Sequence, residues 1–373
     1  MIPWDDSTDV LLNPRLPPDD ATRARELIAR AGALTGHVWL ATSGSTGRMK
    51  PVALSKEALL ASARAVNAHL ESDASDIWLN VLPTFHTGGL GIHARAHLSG
   101  ARVETLESWD ARSYAIRAAA ERATLGALVP TQVYDLVNAG IRAPAPFRAI
   151  VVGGASLSEA LYAEARALGW PLLPSYGCTE CASQAATATL ASLDDDGYPP
   201  LMRLPHLELR VEADMRLALR GASLFTGYAT EDGLADPKRD GWWTTEDLGR
   251  LDGDRVIPYG RAGEVVKVGG ELVIVPRLQE ELEAAALRLG IPGRGALVAM
   301  PDDRLGWVVH LAVEGMSDAD AARLVAAFNE NVLPYERPRT AHRLATIPRS
   351  PLGKVLWGKL RELLADPDPD PPA

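Results

Sequence analysis

The sequence predicts an α/β fold, with a large N-terminal α/β domain that includes a small β region and a small, mobile α+β C-terminal domain. Over the first two thirds of the 373 residues, short apolar runs alternate with alanine-rich helical stretches. This alternation indicates a largely parallel sheet. Between 206 and 260, short alternating strands joined by tight turns indicate antiparallel pairing. After Gly260, helical and strand patterns alternate again in a compact module.

The element boundaries follow from hydrophobic periodicity and from glycine and proline punctuation. We predict strands over 37–41, 76–82, 101–106, 125–130, 149–154 and 171–177, and helices over 56–70, 110–122, 157–168, 276–289 and 317–332. The predicted domains are residues 1–260, which bind nucleotide and acyl group, and residues 261–373, a lid. A hinge is predicted near 260–263.

Composition excludes several classes of protein. Hydrophobic residues make up 47% and charged residues 23% of the chain, which is typical of globular proteins. The net charge of −10 argues against a nucleic-acid partner. No run of 18 apolar residues and no signal-peptide pattern occurs, so we expect a cytoplasmic protein without a membrane partner. Cys178 and Cys181, spaced C-x-x-C, could form a redox pair or half a zinc site, which we disfavour because no second pair lies nearby.

The stretch TSGSTGRMKP (42–51) indicates a phosphate site, because six of its ten residues are Ser, Thr or Gly. It follows a predicted strand, and we expect the helix after it to add its N-terminal dipole. The spacing is not that of the common phosphate loop, and a flexible linker is the alternative. The predicted nucleotide-binding residues here are Thr42, Ser43, Gly44, Ser45, Thr46, Gly47 and Lys50.

Two further motifs lie at predicted strand ends. In "VVGGASL", Gly153, Gly154 and Ala155 could let a flat base lie against the backbone, although a simple tight turn is the alternative. In "YGCTE", an aromatic ring could stack on adenine, a hydroxyl could bind a phosphate oxygen, and a carboxylate could bind Mg²⁺. These roles fall to Tyr176 with Gly177, to Thr179 and to Glu180; a solvated surface charge is the alternative for Glu180.

Seven motifs in order resemble the core motifs of the adenylate-forming superfamily of acyl-CoA synthetases, adenylation domains and luciferases. The other four are "LPTFHTGGLG", "GWWTTEDLG", "GRAGEVVKVGGE" and "PRSPLGK", and the resemblance runs from about 37 to 360. It implies an ATP-dependent, Mg²⁺-assisted ligase that converts a small-molecule carboxylic acid into an acyl-adenylate. The acyl group would then pass to the thiol of CoA, the co-substrate.

The resemblance also implies roles for individual residues. Asp247 would accept the ribose hydroxyls, and Arg261 would contact the ribose or a phosphate. Lys354 resembles the family's mobile catalytic lysine, although an ordinary exposed lysine is the alternative. Lys50 would neutralise charge in the transition state, and His86 would line the acyl pocket and gate the approach of the thiol.

The acid is suggested by "LPTFHTGGLGIHARAHLSGARV" and "ALVPTQVYDLV", which look most like o-succinylbenzoate–CoA ligases of menaquinone synthesis. Arg95 could then pair with the substrate's second carboxylate, or else face solvent on a helix. Thr131 or Gln132 could line the aromatic pocket. Alternatives are a ligase for another aryl or acyl acid, an enzyme that loads a carrier protein, and a non-catalytic nucleotide-binding protein.

Two of the chain's departures from the family pattern concern its domain organisation. Only 41 residues precede the glycine-rich stretch, fewer than is usual, so we expect a shortened N-terminal subdomain. A second copy of the chain could cover surface exposed by this shortening, which would make a homodimer. At Gly263 the family tends to have a charged hinge residue, and glycine there would swing more freely.

Overall fold

A computed structural model describes residues 2–43, 49–349 and 355–365. The chain divides into two compact units. Unit 1 comprises Met1–Thr245 and Leu251–Ile257, and unit 2 comprises Glu246–Arg250 and Pro258–Ala373.

Unit 1 is built on a parallel sheet with helices between its strands, which confirms the predicted α/β class. In chain order its first elements are β1 (Asp9–Leu11), α1 (Pro18–Arg30), β2 (His37–Ser43), β3 (Met49–Ser55), α2 (Lys56–Leu70), β4 (Ile77–Asn80), α3 (Thr87–Ser99), β5 (Arg102–Thr105), α4 (Ala111–Glu121), β6 (Leu125–Leu128), α5 (Pro130–Asn138), β7 (Ala149–Val152), α6 (Glu159–Ala167) and β8 (Leu172–Tyr176). Strands β8, β7, β6, β4 and β5 lie side by side in that order, all parallel. β6 and β7 are buried throughout, as expected of strands covered on both faces.

The glycine-rich stretch does not join a strand to a helix, so that expectation was wrong. Residues 49–55 form β3, which pairs antiparallel with β2 and brings Lys50 opposite Thr42. Helix α2 begins only at Lys56, so its N-terminus is a whole strand away from Lys50. The cause lies in Pro51 and the apolar run after it, because proline disfavours a helix interior and Val52, Ala53 and Leu54 are all fully buried in the sheet.

The region after β8 is antiparallel, as predicted for 206–260. Its strands are β9 (Ala186–Thr187), β10 (Leu201–Arg203), β11 (Leu207–Val211), β12 (Arg216–Gly221), β13 (Gly227–Thr230), β14 (Gly233–Ala235), β15 (Trp243–Asp252) and β16 (Arg255–Arg261). β9 pairs antiparallel with β8 and extends the parallel sheet. β13 instead pairs with β3, which places Tyr228 opposite Val52.

Unit 2 is an α+β module. It contains β17 (Val265–Val268), β18 (Glu271–Ile274), α7 (Val275–Leu289), β19 (Arg294–Asp302), β20 (Gly306–Glu314), α8 (Asp318–Asn329), β21 (Ala341–Arg343) and α9 (Trp357–Ala365). The strand order is β18-β17-β20-β19, with β21 on β20. Leu278 and Leu282 of α7 and Leu324 and Phe328 of α8 share one core with the sheet.

Helices α1, α3, α5 and α9 are absent from the predicted set. α3 was missed because it contains three glycines, which lower helix propensity. Packing explains one of them, since a Cβ at Gly89 would lie 2.3 Å from the carbonyl oxygen of Leu82. None of the helices in the described part of the chain is long and apolar enough to span a membrane.

Candidate functional site

The carboxyl ends of four adjacent parallel strands bring most of the predicted site residues to one edge of the sheet. His86 follows β4, and Thr131 and Gln132 follow β6. Gly153–Ala155 follow β7, and Tyr176 ends β8. Because β8, β7, β6 and β4 are neighbours, these segments share the edge at which open α/β sheets bind ligands.

The turn after β7 requires its glycines. A Cβ at Gly153 would lie 2.8 Å from the hydroxyl oxygen of Ser175, which itself donates to the carbonyl of Val152 at 3.1 Å. Gly154 has φ +86°, a conformation that side-chain-bearing residues rarely adopt. Gly154 and Ala155 are exposed, so this backbone is available to a flat ligand.

A tight turn after β8 carries the "TE" of the YGCTE motif. Thr179–Cys181 form one turn of 3₁₀-helix. The chain then folds back so closely that a Cβ at Gly177 would lie 1.7 Å from the carbonyl oxygen of Ser183. Ser183 itself has φ +143°, which is rare for a residue with a side chain. Strain of this kind clusters at functional sites.

Glu180 is held by the neighbouring antiparallel strand. Its carboxylate oxygen Oε1 accepts a hydrogen bond from the hydroxyl of Tyr228 at 3.0 Å, and its backbone carbonyl accepts from the N–H of Phe225 at 2.8 Å. The ammonium group of Lys50 lies 5.7 Å from the centre of the Tyr228 ring, within range of a cation–π contact. The structure therefore connects Lys50 and Glu180, 130 positions apart in sequence, through one tyrosine.

The donor set fits a magnesium ion of the kind held mainly by a nucleotide. Mg²⁺ usually takes one or two carboxylates together with substrate phosphates and water. Glu180 is a half-buried carboxylate fixed at the end of a strand, which suits this arrangement. Within the described ranges, no group of three or more His, Cys, Asp or Glu side chains forms an all-protein metal site.

Parts of the predicted phosphate and catalytic machinery lie outside the described residues, namely Gly44, Ser45, Thr46, Gly47 and Lys354. At the borders of the first gap, Ser43 pairs with Met49 through the backbone, and the Thr42 hydroxyl donates to the carbonyl of Lys50 at 3.3 Å. Lys50 is exposed, as a cation that meets a phosphate should be.

Arg95 is the most unusual charge in the structure. Its side chain, on α3, is 1% exposed, so the suggestion that it faces solvent was wrong. The guanidinium donates from Nη2 to the hydroxyl of Ser183 at 3.2 Å and lies 5.4 Å from the centre of the Trp78 ring. Gly91, one turn earlier, makes room for it, because a Cβ there would be 3.2 Å from Nη2.

No acidic side chain in the described ranges pairs with Arg95, and its buried Nε has no hydrogen-bond partner there. Burial lowers the pKa of Arg95 to about 10, so the group is still charged at neutral pH. A buried cation without an anion is unfavourable. A carboxylate placed beside the guanidinium would neutralise this charge.

The remaining acyl-pocket candidates lie around this edge with different exposures. His86 precedes the first residue of α3 and its ring packs 4.8 Å from that of Phe85. Thr131 is exposed, whereas Gln132 is buried and accepts from the N–H of Val129 at 3.0 Å. That bond caps the start of α5 and fixes the side chain of Gln132.

The two ribose candidates form a pair inside unit 2. Arg261 Nε lies 3.4 Å from Oδ1 of Asp247, whose side chain is 19% exposed. The N–H of Arg261 also donates to the carboxylate of Glu264 at 3.0 Å. Asp247 on β15 and Arg261 at the end of β16 are thus adjacent, as two groups that bind one sugar would need to be.

Sequence reasoning missed Ser183 and Tyr228. Ser183 carries no sequence signal, because its role depends on the backbone fold after Gly177. Tyr228 follows a glycine in "FTGYAT", where a Cβ at Gly227 would lie 2.6 Å from the carbonyl oxygen of Ala235. A glycine within a strand was therefore the available signal.

Comparison with known proteins identifies the family of this chain and structures that share its fold. The family model described as AMP-binding enzyme matches residues 37–229. The chain belongs to this family. The match begins at β2 and ends in β13, so it includes the whole parallel sheet and both Glu180 and Tyr228.

The curated relatives that the chain matches include 2-succinylbenzoate–CoA ligase of Staphylococcus aureus (strain MW2). It is 29% identical over 327 residues, a match that covers 86% of this chain and 65% of the relative. The chain thus spans about two thirds of that relative's length.

Solved structures share the fold. o-Succinylbenzoate CoA synthetase from Bacillus subtilis, in complex with its acyl-adenylate intermediate, matches with a TM-score of 0.82 and 21% identity, over 97% of this chain and 88% of that one. ATP-bound MatB from Rhodopseudomonas palustris matches with a TM-score of 0.73 and 24% identity, over 88% of this chain and 68% of that one.

Proposed function

We propose that this protein is an ATP-dependent acid–thiol ligase and that its acid is o-succinylbenzoate. In the first half-reaction the carboxylate of the acid attacks the α-phosphorus of ATP, which releases pyrophosphate and forms an acyl-adenylate. In the second, the thiol of CoA attacks the acyl carbon and releases AMP. The observation that carries the choice of acid is the buried guanidinium of Arg95, which has no acidic partner among the residues that the structure describes.

The acid is held at two ends. One carboxylate must reach the nucleotide near Glu180, and a second negative group would neutralise Arg95. Ser183 connects these places, since it follows the Glu180 turn and its hydroxyl accepts from Arg95. A dicarboxylic acid such as o-succinylbenzoate meets both requirements, whereas a simple aryl or fatty acid leaves Arg95 unpaired. The name of the Staphylococcus aureus relative supports the same acid.

The adenylation step needs positive charge, because both reactants are anions. Lys50 would supply a cation at the phosphates, with Tyr228 holding it near Glu180. Mg²⁺, bound through Glu180 and the phosphates, would supply further neutralisation. Lys354 is proposed as the second cation of the transition state. Loss of one such preorganised group typically costs on the order of 10²–10³ in rate.

The lid is proposed to change pose between the half-reactions. Residues 261–373 would carry Lys354 to the nucleotide for adenylation and would then turn about 260–263 to admit the thiol. Motions of lids and domains of this kind gate turnover in many enzymes. Gly260 and Gly263 have φ +124° and +100°, so the proposed hinge is built on backbone that glycine favours. Asp247 and Arg261 would contact the ribose.

The proposed reaction belongs in the cytoplasm, and a sequence with only two cysteines agrees with a reducing compartment. Two other readings define the alternatives. A carrier protein's phosphopantetheine could replace CoA, and this is decided by offering both acceptors with the same acid. A non-catalytic nucleotide-binding protein would bind ATP without turnover.

The test is pyrophosphate release with ATP and Mg²⁺ across a panel of mono- and dicarboxylic acids, with and without CoA. We expect release that depends on o-succinylbenzoate and formation of its CoA thioester. The Lys354→Ala variant should lose release while still binding ATP. Release with another acid alone would overturn the substrate. Binding of ATP without release for any acid would favour the non-catalytic reading.

A further inference from the structure

Two cysteines flank the residues on which nucleotide binding is proposed to depend. Cys178 and Cys181 enclose Thr179 and Glu180, and their sulfur atoms lie 3.4 Å apart. The structure has no disulfide between them. The function proposed above gives neither sulfur a role, so the C-x-x-C spacing needs a separate explanation.

The turn brings the two cysteines into a geometry from which a disulfide can form. Residues three apart in a tight turn have Cα atoms within about 7 Å, and disulfides need Cα separations of about 4.4–6.8 Å. The N–H of Cys178 already points at the Cys181 sulfur at 3.4 Å. Disulfide formation would shorten the sulfur separation from 3.4 Å to about 2.0 Å.

The two sulfurs differ in exposure. Cys178 is half-buried, whereas Cys181 is fully buried in a small core with Leu207 and Leu219. A reagent in solution can therefore reach Cys178 first, and Cys181 is placed behind it. This is the arrangement of an attacking and a resolving cysteine.

We infer that Cys178 and Cys181 form a reversible disulfide by exchange with a low-molecular-weight disulfide such as oxidised glutathione. The Cys178 thiolate attacks one sulfur of the small disulfide, whose S–S bond breaks and releases one thiolate. The Cys181 thiolate then attacks the Cys178 sulfur and releases the second. Two protein thiols are oxidised to one disulfide, the small disulfide is reduced to two thiols, and the two protons of the protein thiols pass through solvent to them.

Closure of this bond alters both halves of the site. Thr179 and Glu180 lie inside the closed ring, so the proposed metal ligand moves with the sulfurs. The Cys181 sulfur also lies 3.7 Å from the carbonyl oxygen of Ser183, whose hydroxyl accepts from Arg95. A displacement of about 1 Å in catalytic groups can cost on the order of 10²-fold in rate. This consequence rests on the proposed function, whereas the modification itself does not.

The first experiment is intact-mass spectrometry of the full chain after exposure to oxidised glutathione, which requires no activity. We expect wild type to lose two hydrogens and carry no adduct. Cys181→Ser should retain one glutathione, because no thiol resolves the adduct, and Cys178→Ser should remain unmodified. If Cys181→Ser fails to fold, Cys181→Ala replaces it. Two free thiols in wild type after this exposure, or a stable glutathione adduct on it, would overturn the inference.

The second experiment measures pyrophosphate release in oxidised and reduced glutathione. We expect the rate of pyrophosphate release by wild type to fall on the order of 10²-fold on oxidation and to recover in the reduced buffer. Cys178→Ser should show the same rate in both buffers, whatever that rate is. A disulfide that forms without changing a measurable wild-type rate would overturn the coupling to the site. Absence of any release in reduced buffer would instead count against the proposed function and leave the mass result standing.

Discussion

Two arginines in unit 1, Arg95 fully buried and Arg148 partly buried against a buried aspartate, have opposite surroundings. Arg148, just before β7, makes a bidentate pair with Asp76, at 3.0 Å and 2.6 Å, and also donates to the carbonyls of Leu70 and Glu71. This cluster lies at the amino ends of β4, β6 and β7, where Thr124 joins it. Arg95, on the helix that follows β4, has one hydroxyl as a hydrogen-bond partner and no carboxylate within the described ranges.

The difference teaches how to separate structural charges from functional ones. A buried charge whose donors are all satisfied holds strands together, and removing its partner is strongly destabilising. A buried charge left unsatisfied lowers stability, and its retention needs a reason outside folding. The Asp76–Arg148 cluster belongs to the first class and Arg95 to the second. Variants of Arg95 should therefore lose activity, whereas variants of Asp76 should lose stability.

The largest expected effect is the loss of acid use on replacing Arg95 with methionine. The substrate's second carboxylate would then enter a buried site without a counter-ion, which costs about 3–5 kcal/mol. We expect kcat/KM for o-succinylbenzoate to fall on the order of 10²–10³-fold, with the KM for ATP unchanged. For Arg95→Lys, kcat/KM should fall less, because lysine keeps the charge but lacks the planar guanidinium that can bind a carboxylate through two N–H groups.

The same Arg95→Met variant should be as stable as wild type or more so. Burial holds the pKa of Arg95 below its ordinary value, so at any pH below about 10 its charge opposes folding. Arg64→Met, on the exposed face of α2, is the matched control and should change neither the free energy of unfolding nor kcat/KM for o-succinylbenzoate. Urea unfolding measures the first quantity and initial rates measure the second. A marked loss of stability in Arg95→Met would assign Arg95 to the structural class.

The second effect is on stability alone. Asp76→Asn removes the carboxylate that Arg148 and Thr124 hold, and we expect the free energy of unfolding to fall by about 3 kcal/mol. Desolvation raises the pKa of Asp76, but hydrogen bonds from Arg148, Thr124 and the N–H of Asp73 outweigh it, and the pKa lies below its ordinary value. Because folding lowers this pKa, the ionised carboxyl stabilises the fold fully at pH values above its unfolded pKa of about 3.9. That stabilisation is lost as the pH falls through the folded-state pKa.

The difference between wild type and Asp76→Asn should therefore be constant from pH 5 to 7 and should shrink below about pH 4. Urea unfolding at a series of pH values measures it. The double variant Asp76→Asn/Arg148→Met should be less destabilised than the sum of the single variants, because the two groups share one network. A difference that grows as the pH falls would contradict the lowered pKa.

The same contrast explains how far sequence reasoning could go. Residues that follow strand ends, such as Gly153 and Tyr176, could be placed because parallel strands present their carboxyl ends at one edge. The charge of Arg95 could be noticed, but its burial could not be read from a helix with three glycines. The β3 strand was missed because residues 49–55 are too short to separate a strand from a helix start by periodicity.

Side-chain partners that are distant in sequence could not be predicted, for a simple physical reason. Tyr228 reaches Glu180 only because β13 pairs with β3, a contact between segments about 180 residues apart. Ser183 reaches Arg95 only because the turn after Gly177 adopts a rare backbone conformation. Neither fact leaves a local periodic pattern. Charges and turn glycines mark where a site begins, and tertiary pairing decides which side chains complete it.

Glu180 lies between the two classes of charge, and the smallest predicted effect tests its position. Tyr228→Phe removes only the hydroxyl that donates to Glu180 and keeps the ring, which packs 4.7 Å from that of Phe225. A hydrogen bond to a charged group is worth about 1.5 kcal/mol or somewhat more, so kcat/KM for Mg²⁺–ATP should fall about tenfold. The KM for the acid should not change, and Tyr134→Phe, exposed on α5, is the control. If the acid's KM rises as much as that of ATP, the nucleotide and carboxylate subsites are not separable, and the contrast between Glu180 and Arg95 does not hold.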